Sequence, residues 1–292
     1  MPVSPTCTCL SCSPHVNTPL ALRCKVYPSS LTDAQWAILE PLLPPPGNRT
    51  SRGGRPEKHS RRRILDAIFY LVRAGLAWRY LPGEFPPWQT VYGFFRRWRK
   101  DGTWRRIHDA LRERVRVASG RKPNPTAAII DSQSVRAAST VGKDSRGFDG
   151  GKKVNGRKRH IAVDTSGLLL VVLVTIASIQ DRDGGLRLLA LLREQFSTIR
   201  LVWADGGYAG RLVGWAKKVL NLTVEIVKRN DDVKGFKLLP RRWVVERTFA
   251  WLFTSRRLVH DFEREPANHE AMVHLSMILL MTRRLAPTPK KA

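Results

Sequence analysis

The chain has 292 residues, 42% of them hydrophobic, which is enough to bury the core of one large domain or of two ordinary ones. Its 51 Lys and Arg residues outnumber its 24 Asp and Glu residues, and the net charge of +27 favours a polyanionic partner, nucleic acid rather than an anionic membrane. No apolar run reaches the roughly 18 residues of a membrane span and no signal peptide pattern opens the chain, so we expect a cytoplasmic protein without a membrane partner. A surface that is basic only for solubility is the weaker alternative.

Residues 1–30 form a segment rich in Ser, Thr and Pro, and it holds all four cysteines of the chain: Cys7, Cys9, Cys12 and Cys24. With His15 nearby these residues could bind zinc, but their spacing is not that of a standard zinc site. We therefore favour a disordered leader or an over-long start for this segment.

Residues 31–120 are predicted to form a basic, all-helical domain. Thr32 and Gln35 form the capping box of a first helix that ends by Glu40. Apolar stripes predict further helices over residues 60–75 and 88–98, and another that begins at Thr103 as its cap. The helices over 60–75 and 88–98 suggest a helix-turn-helix-like arrangement that binds DNA. The residues expected to face the DNA are Gln89, Thr90, Arg96, Arg97 and Lys100.

Residues 124–286 are predicted to form an α/β domain, followed by a basic tail at 287–292. A buried strand over 126–130 is followed by a hairpin of two strands, 160–164 and 168–177, which are antiparallel. Strands and helices then alternate, and this predicts a mixed sheet with flanking helices. The later helices are expected at 185–196, 212–220, 242–257 and 269–285, and the later strands at 200–204 and 224–227.

Two carboxylates, Asp131 and Asp205, directly follow predicted strands. Ligands of α/β sheets collect beyond the carboxyl ends of strands, which makes both acids candidate ligand-binding residues. Either one alone could equally be a turn residue or a helix cap.

Glu246 is the third candidate acid. On a helix it would share a face with apolar neighbours three or four positions away, where an unpaired charge is costly. Three carboxylates packed together repel each other unless they are protonated or bind a metal, and a site with oxygen ligands alone favours Mg²⁺ or Mn²⁺. In so basic a protein this predicts phosphodiester chemistry with two metal ions. A simple ion pair of Glu246 with Arg242 or Arg247 remains the alternative. The apolar neighbours are Trp243, Phe249, Ala250 and Phe253.

Several long motifs, in a fixed order, carry a resemblance to a known family. They are LTDAQWAILEPLLP, GRPEKHSRRRILDAIFYLVRAGLAWRYLP, FPPWQTVYGFFRRWRKDGTW, AAIIDSQSV, GRKRHIAVDTSGLLLVVLVTIASIQDRDGG, WADGGYAG and RRWVVERTFAWL. Together they closely resemble transposases of bacterial insertion sequences, in the insertion sequence 5 family (related to the insertion sequence 4 group) of the DDE superfamily. The resemblance runs from about Leu31 to the end of the final helix.

The resemblance implies a ribonuclease H-like catalytic domain in which Asp131, Asp205 and Glu246 are the catalytic, metal-binding triad, with Mg²⁺ or Mn²⁺ as cofactor and two ions in all. It further implies a transposase that binds the terminal inverted repeats of its element, cleaves the DNA and joins the ends to target DNA. Bringing two ends together implies a homodimer or a larger assembly on the DNA.

Around the third acid the chain departs from the related signature. Arg242 and Glu246 fit it, but Leu239 and Phe253 stand where a tyrosine and a lysine are expected. Other basic residues are candidates for DNA backbone contacts, although a solvated charge run is the alternative for those beside the hairpin. The predicted set is Arg242, Arg256 and Arg257, of which the last two could replace the missing lysine, and Lys152, Lys153, Arg157, Lys158 and Arg159 beside the hairpin.

Four neighbouring residues are assigned supporting roles. Gln133 and Ser134 are expected to support Asp131, since metal-binding acids need hydrogen-bonding neighbours. His160 is interpreted as a strand-start residue and Tyr208 as a packed side chain, because two-metal chemistry needs neither of them as an acid, a base or a nucleophile.

Two other functions compete with a transposase. The first is a catalytically inactive, regulatory DNA-binding descendant, for which charge and the helical domain suffice. The second is a ribonuclease H-like nuclease that cuts without joining, which the additional helical domain disfavours.

Overall fold

The computed structural model describes residues 26–49, 53, 55–227 and 240–287, without the side chains of Arg49, Pro240 and Arg241. The cysteine segment with its candidate zinc ligands, Leu239, and the predicted basic tail from residue 288 onward lie outside the described residues.

The N-terminal part is helical, as predicted. Thr32 caps the first helix, and the reciprocal hydrogen bonds of Thr32 and Gln35 confirm the capping box. Thr103 is not a cap but a first-turn residue, because Gly102 takes the cap position and Asp101 accepts hydrogen bonds from the Thr103 amide and hydroxyl. The helices are α1 (Asp33–Leu39), α2 (Arg61–Ala74), α3 (Trp88–Lys100) and α4 (Thr103–Ala118).

We call residues 127–285 the catalytic part, because the predicted catalytic acids lie in it. Its described residues include one mixed sheet. Its long strands run in the order β4, β3, β1, β5, β6, and the short β2 pairs with the start of β3. β3 is antiparallel to β1 and β4, whereas β1, β5 and β6 are parallel to one another. The strands are β1 (Ala127–Arg136), β2 (Gly147–Asp149), β3 (Val154–Val163), β4 (Leu169–Ile176), β5 (Leu201–Ala204) and β6 (Thr223–Ile226).

Two strands are longer than their sequence predicts. β1 continues five residues past Asp131 to Arg136, and β3 begins at Val154 rather than at 160. The added parts pair with each other, from Ser132 with His160 to Arg136 with Gly156. Because these parts are polar and charged, the sequence predicts loops for them. They are strands because they pair in the sheet and because neighbouring segments bury them.

The remaining helices lie on both faces of the sheet. The predicted helix at 185–196 begins earlier, with Asp181 and Asp183 in its first turn, where acids favour a helix start. The predicted helix at 242–257 instead covers 240–253, and a short 3₁₀ helix follows it. These helices are α5 (Asp181–Gln195), α6 (Arg211–Leu220), α7 (Pro240–Phe253) and α8 (Pro266–Leu285).

Two apolar cores flank the sheet. One lies under α5 and α6 and includes Leu188, Val202 and Leu212. The other joins α7, α8 and the opposite sheet face to the N-terminal helices, so that Phe95 and Met277 belong to one cluster. α8 packs against α4, α2 and α1 as well as against β4. The N-terminal helices therefore share a core with the catalytic part, and the domain boundaries at 120 and 124 stay a prediction.

A mixed six-strand sheet with helices on both faces, preceded by a helical region, is the ribonuclease H-like α/β architecture expected from the sequence, which is confirmed. Among the described residues no helix is long and apolar enough to cross a membrane.

Candidate catalytic site

Asp131 and Asp205 lie on neighbouring parallel strands. In the last pair of β1 and β5, Ile129 lies opposite Trp203. Asp131 follows Ile129 by two positions, and Asp205 follows Trp203 by two positions. Asp205 comes directly after β5 and caps a short 3₁₀ helix, its Oδ1 accepting a hydrogen bond of 3.0 Å from the Gly207 amide. Asp131 lies within β1 rather than at its end, which corrects the sequence interpretation. The parallel pairing still brings the two acids side by side.

The environment of Asp131 favours its neutral form. Burial raises the pKa of the Asp131 carboxyl to about 7, and the negative charge of Asp205 adds to the rise. A hydrogen bond of 2.7 Å from the Ser132 amide to Oδ1 acts in the opposite direction. A buried carboxyl beside a second carboxylate is stabilised in its ionised form by a bound cation.

Glu246 lies on α7 and is linked to Asp205 by an arginine. Arg242 Nη2 lies 3.9 Å from Asp205 Oδ2 and 3.7 Å from Glu246 Oε1. Its guanidinium therefore partly offsets the charge of both acids. The ion pair between Glu246 and Arg242, left open as an alternative by the sequence, is present.

The prediction that Glu246 faces inward is wrong. The Glu246 side chain is 51% exposed, and Trp243, Ala250 and Phe253 on the same side of α7 are exposed too. The buried side of α7 is formed instead by Val245, Thr248, Phe249 and Leu252. Apolar residues occur on both the buried and the exposed side of α7, so the helical period alone did not identify the inner face.

The acids suit a hard divalent cation in chemistry, but they are not assembled around one. All three offer oxygen ligands, as Mg²⁺ and Mn²⁺ prefer. In the part of the chain that the structure describes, no three Asp, Glu, His or Cys side chains converge closely enough to hold a metal ion. Arg242 lies between Asp205 and Glu246 at ion-pair distance from both. Asp131 and Asp205 thus lie together at the sheet, whereas Arg242 separates Glu246 from Asp205.

A fourth acid, Asp181, lies beside this site and is absent from the sequence-based candidates. Its Oδ1 accepts hydrogen bonds from Ser132 Oγ at 2.7 Å and from Lys158 Nζ at 2.9 Å. Lys152 Nζ donates to the Ser132 carbonyl at 3.2 Å. The sequence signal that could have pointed to this residue is the pair Asp181 and Asp183 ahead of the predicted helix, because acids favour the first turn of a helix. Asp181 and Lys152 surround the backbone that carries Asp131.

Tyr208 packs against the acids, as the sequence interpretation expects. The side chain is fully buried, and the negative charges of Asp131, Asp181 and Asp205, together with burial, raise the pKa of its hydroxyl. Within the described chain the hydroxyl oxygen has no hydrogen-bond partner at normal distance. A phenol in such surroundings stays protonated and is no nucleophile.

Family models match both parts of the chain. Residues 31–108 match a family described as "Putative transposase of IS4/5 family", and residues 122–281 match the transposase DDE domain. The chain belongs to the DDE transposases. The family predicted from the sequence motifs is thereby confirmed.

Two proteins of Burkholderia cepacia are similar to this DDE transposase. The "Insertion element IS402 uncharacterized 16.2 kDa protein" is 34% identical over 109 residues, which cover 37% of this chain and 73% of that protein. The "Putative transposase for insertion sequence element IS402" is 34% identical over 132 residues, which cover 43% of this chain and 62% of that protein. The chain therefore spans less than two thirds of the length of the second relative.

Several basic residues predicted to contact DNA are buried in the transposase. Arg157 is fully buried and donates to Asp261 Oδ2 at 2.9 Å and to the Glu263 carbonyl at 2.7 Å. Arg159 is also fully buried, with its Nε 2.9 Å from Gln133 Oε1, and burial lowers its pKa to about 10. The prediction of DNA contact is therefore corrected for both: their charges hold the sheet to neighbouring segments.

Lys158 and Arg257 are corrected for the same reason. Lys158 is buried, with Nζ 2.9 Å from Asp181 Oδ1. Arg257 is buried, with Nη2 2.7 Å from Glu263 Oε1 and Nη1 2.8 Å from the Leu76 carbonyl. Arg257 therefore does not replace the lysine of the related signature.

The other predicted DNA contacts lie where DNA could reach them. Thr90 is partly exposed and Arg242 lies between the acids. DNA contact stays a prediction for all of them. The exposed members of the set are Gln89, Arg96, Arg97, Lys100, Lys152, Lys153 and Arg256.

The predicted supporting residues of Asp131 bond elsewhere. Gln133 accepts from Arg159, and Ser134 donates to Asp149 Oδ2 at 2.5 Å. His160 is buried in the middle of β3, with Nε2 3.1 Å from Thr175 Oγ1, and is not at a strand start. Ser132, between the two predicted residues, is the neighbour that bonds Asp131.

Proposed function

We propose that this transposase binds the terminal inverted repeats of its insertion sequence, nicks the DNA at the element ends and joins the freed 3′ hydroxyls to target DNA. The observation that carries the proposal is the pairing of Asp131 and Asp205 on adjacent parallel strands, with Glu246 linked to Asp205 through Arg242. Membership of the DDE transposase family supports it.

Asp131, Asp205 and Glu246 would hold the divalent cation, Mg²⁺ or Mn²⁺, in two copies. When bound, such ions activate the attacking water or 3′ hydroxyl and stabilise the leaving oxygen. The Gly207 amide orients Asp205, and the Ser132 amide orients Asp131. Arg242 is placed to exchange its two carboxylate partners for a DNA phosphate, which would free Glu246 to approach the strand acids.

The DNA partners are the element ends and the target. The exposed side of α3, with Arg96, Arg97 and Lys100, supports end recognition by the helical region. Phosphate contacts by such side chains position a protein on the duplex, and base contacts by Gln89 or Thr90 would specify the sequence. Joining two ends requires a homodimer or a larger assembly on the DNA, and the protein would act on DNA in the bacterial cytoplasm.

The experiment uses purified protein, labelled element-end DNA and Mg²⁺ or Mn²⁺, scored for nicked and joined products. Asp131→Asn, Asp205→Asn and Glu246→Gln should each reduce both products to background and leave binding to the ends largely intact. Glu194→Gln, which changes an exposed carboxylate at the end of α5, is the matched control and should behave as wild type. Metal-dependent cleavage retained by one of the three variants would remove that residue from the triad.

The same assay separates the competing functions. A wild-type protein that binds the ends but forms neither product with metal present is a regulatory DNA-binding protein. Nicked product without joined product indicates a nuclease. Neither alternative is favoured by a specific contact in the site.

A further inference from the structure

A basic cleft lies where α2, α7 and α8 meet, apart from the predicted catalytic acids. It has a volume of about 280 Å³, and three arginines line it: Arg73 from α2, and Arg283 and Arg284 from α8. Trp251 and Thr254 form its α7 side. No acidic residue is among the described residues that line this cleft. We call it the Trp251 cleft.

The arginines around Trp251 form a stack along α7. The Arg247 guanidinium carbon lies 4.5 Å from the ring centroid of Trp243 and 4.8 Å from that of Trp251, and the Arg284 guanidinium carbon lies 4.4 Å from the latter. Trp243, Arg247 and Trp251 are spaced four residues apart, which places them on one side of the helix. Aromatic stacking fixes the planes of both guanidinium groups.

Within the described part of the chain no carboxylate lies at ion-pair distance from Arg73, Arg283 or Arg284, and Asp164 acts on Arg284 only from further away. Arg73 Nη1 donates to Thr254 Oγ1 at 2.7 Å, Arg283 Nη2 to the Pro28 carbonyl at 2.5 Å, and Arg247 Nη2 to the Ser166 carbonyl at 3.0 Å. All three partners are neutral oxygens. The Nε of Arg247 is buried and has no partner among the described residues.

Burial and neighbouring positive charge both disfavour the charged forms of Arg283 and Arg284. Burial lowers the pKa of Arg283, and Arg73 adds to the effect. Burial likewise lowers the pKa of Arg284, and Arg247 adds to it, whereas Asp164 acts in the opposite direction. Converging guanidinium groups without a carboxylate are relieved by an anion with several acceptor oxygens, and a phosphodiester is such an anion.

We propose that the Trp251 cleft binds a phosphate of the element-end DNA through Arg73, Arg283 and Arg284. This inference rests on the proposed function. It adds a DNA contact at a surface that includes neither the three acids nor α3. Glu246 and Trp251 are five positions apart on α7, a rise of about 7.5 Å along the helix and a rotation of about 140° around it, so the acids and the cleft would contact different phosphates of the bound DNA. Because Arg73 belongs to the N-terminal helices, the bound phosphate would tie end recognition to the position of α7.

The first test compares the salt dependence of binding to element-end duplex DNA. The variant Arg73→Ala with Arg284→Ala should bind more weakly, and its slope of log affinity against log salt should be smaller by about 0.9, because one phosphate contact is lost. Arg73→Lys with Arg284→Lys should retain the slope, because the slope counts neutralised phosphates, while loss of the stacked Arg284 guanidinium should lower the affinity itself. Arg114→Ala with Arg187→Ala removes two exposed arginines of α4 and α5 and is the matched control.

The second test locates the phosphate. Uncharged methylphosphonates replace the phosphates of the element end one at a time, and circular dichroism verifies that each protein variant is folded. At one or two positions of the element end the substitution should weaken binding of the wild type but not of the double alanine variant. Such loss of coupling is what a direct contact predicts.

The outcomes separate this inference from the proposed function. Equal salt slopes for the folded double alanine variant and the matched control would refute the cleft site while DNA binding and cleavage by the wild type stand. Inorganic phosphate could raise the melting temperature of the wild type but not of the double alanine variant. If the salt slopes of that variant and of the matched control are nevertheless equal, the cleft binds free anions and the inference is wrong. A wild type that binds no element-end DNA overturns both proposals.

Discussion

At the scale of single residues, charge has two different uses in this transposase. Arg157 and Asp261 form a fully buried ion pair at 2.9 Å, and His269 Nδ1 lies 3.1 Å from the other oxygen of the same carboxylate. Arg242 and Lys152, by contrast, lie at or near the acids, where they can meet a ligand. A high content of Lys and Arg therefore does not translate directly into DNA contacts, because part of it is internal.

Arg157→Met should destabilise the protein by about 3 to 5 kcal/mol, because removing one partner leaves the Asp261 carboxylate buried without its counter-charge. Urea unfolding followed by circular dichroism measures the loss. Lys153→Met removes an exposed charge from the same predicted set and should change stability by less than about 0.5 kcal/mol. Wild-type stability of the Arg157 variant would argue that the residue is free to contact DNA after all.

At the scale of secondary structure elements, close packing fixes where α5 and α8 lie. Gly184 in α5 faces the His160 ring of β3: a Cβ on this glycine would lie 2.1 Å from Cε1 of that ring. α8 packs its His274 against His108 of α4, with ring centroids 5.0 Å apart. Both contacts are specific enough to be tested by single substitutions.

Gly184→Ala should destabilise the protein by about 3 kcal/mol, because the added methyl group overlaps a buried ring that has no room to move. Gly214→Ala in the middle of α6 is the control, since no atom lies within 4 Å of the added Cβ. It should stabilise by about 0.5 to 1 kcal/mol through helix propensity. Opposite signs in thermal or urea unfolding confirm the packing of α5 on β3, and a neutral Gly184 variant contradicts it.

The contact between α4 and α8 should weaken in mild acid. Burial lowers the pKa of His274 to about 3 and also lowers that of His108, with Asp109, Arg105 and Arg112 as their charged neighbours. The unfolded chain, in which histidine has a pKa of about 6.5, binds more protons below that pH, so stability falls as the pH drops from about 6.5 towards 3. For His274 the loss between pH 7 and 5 is about 2 kcal/mol.

His274→Phe should remove that part of the pH dependence, and unfolding in urea at pH 7 and pH 5 measures it. The His260→Gln variant changes an exposed histidine and should keep the wild-type difference between the two pH values. Asp109, whose pKa is lowered to about 2, contributes only at more acidic pH and does not interfere. Identical pH dependence in wild type and His274→Phe would show that the histidine is not buried in its neutral form.

At the scale of the whole molecule, α8 joins the helical region to the catalytic part. Its buried side chains belong to the same apolar cluster as α2, α3 and α4. Glu270 of α8 also accepts a hydrogen bond of 2.9 Å from the Val174 amide of β4, so that one helix contacts both parts. The helical region lacks much of its core when α8 is absent.

The full-length protein should therefore unfold in one cooperative transition, with equal calorimetric and van't Hoff enthalpies. A fragment of residues 31–120 should show reduced helicity and no cooperative melting, because it exposes the apolar surface that α8 covers. Differential scanning calorimetry and circular dichroism measure both. Two separate transitions, or a stable fragment, would show that the helical region is an independent domain.

The sequence by itself determined the family and most of the order of the elements, and it predicted the three acids, because capping boxes, apolar stripes and motifs are local patterns. Only the tertiary structure decided which polar residues are inside. Arg157, Lys158 and Arg159 are consecutive, yet the residues that bond to them lie up to 107 positions away. No local pattern of the sequence encodes such partners. For the same reason Glu246, predicted to be buried, lies on the exposed side of α7, since the sheet and not the helical period selects the face that packs.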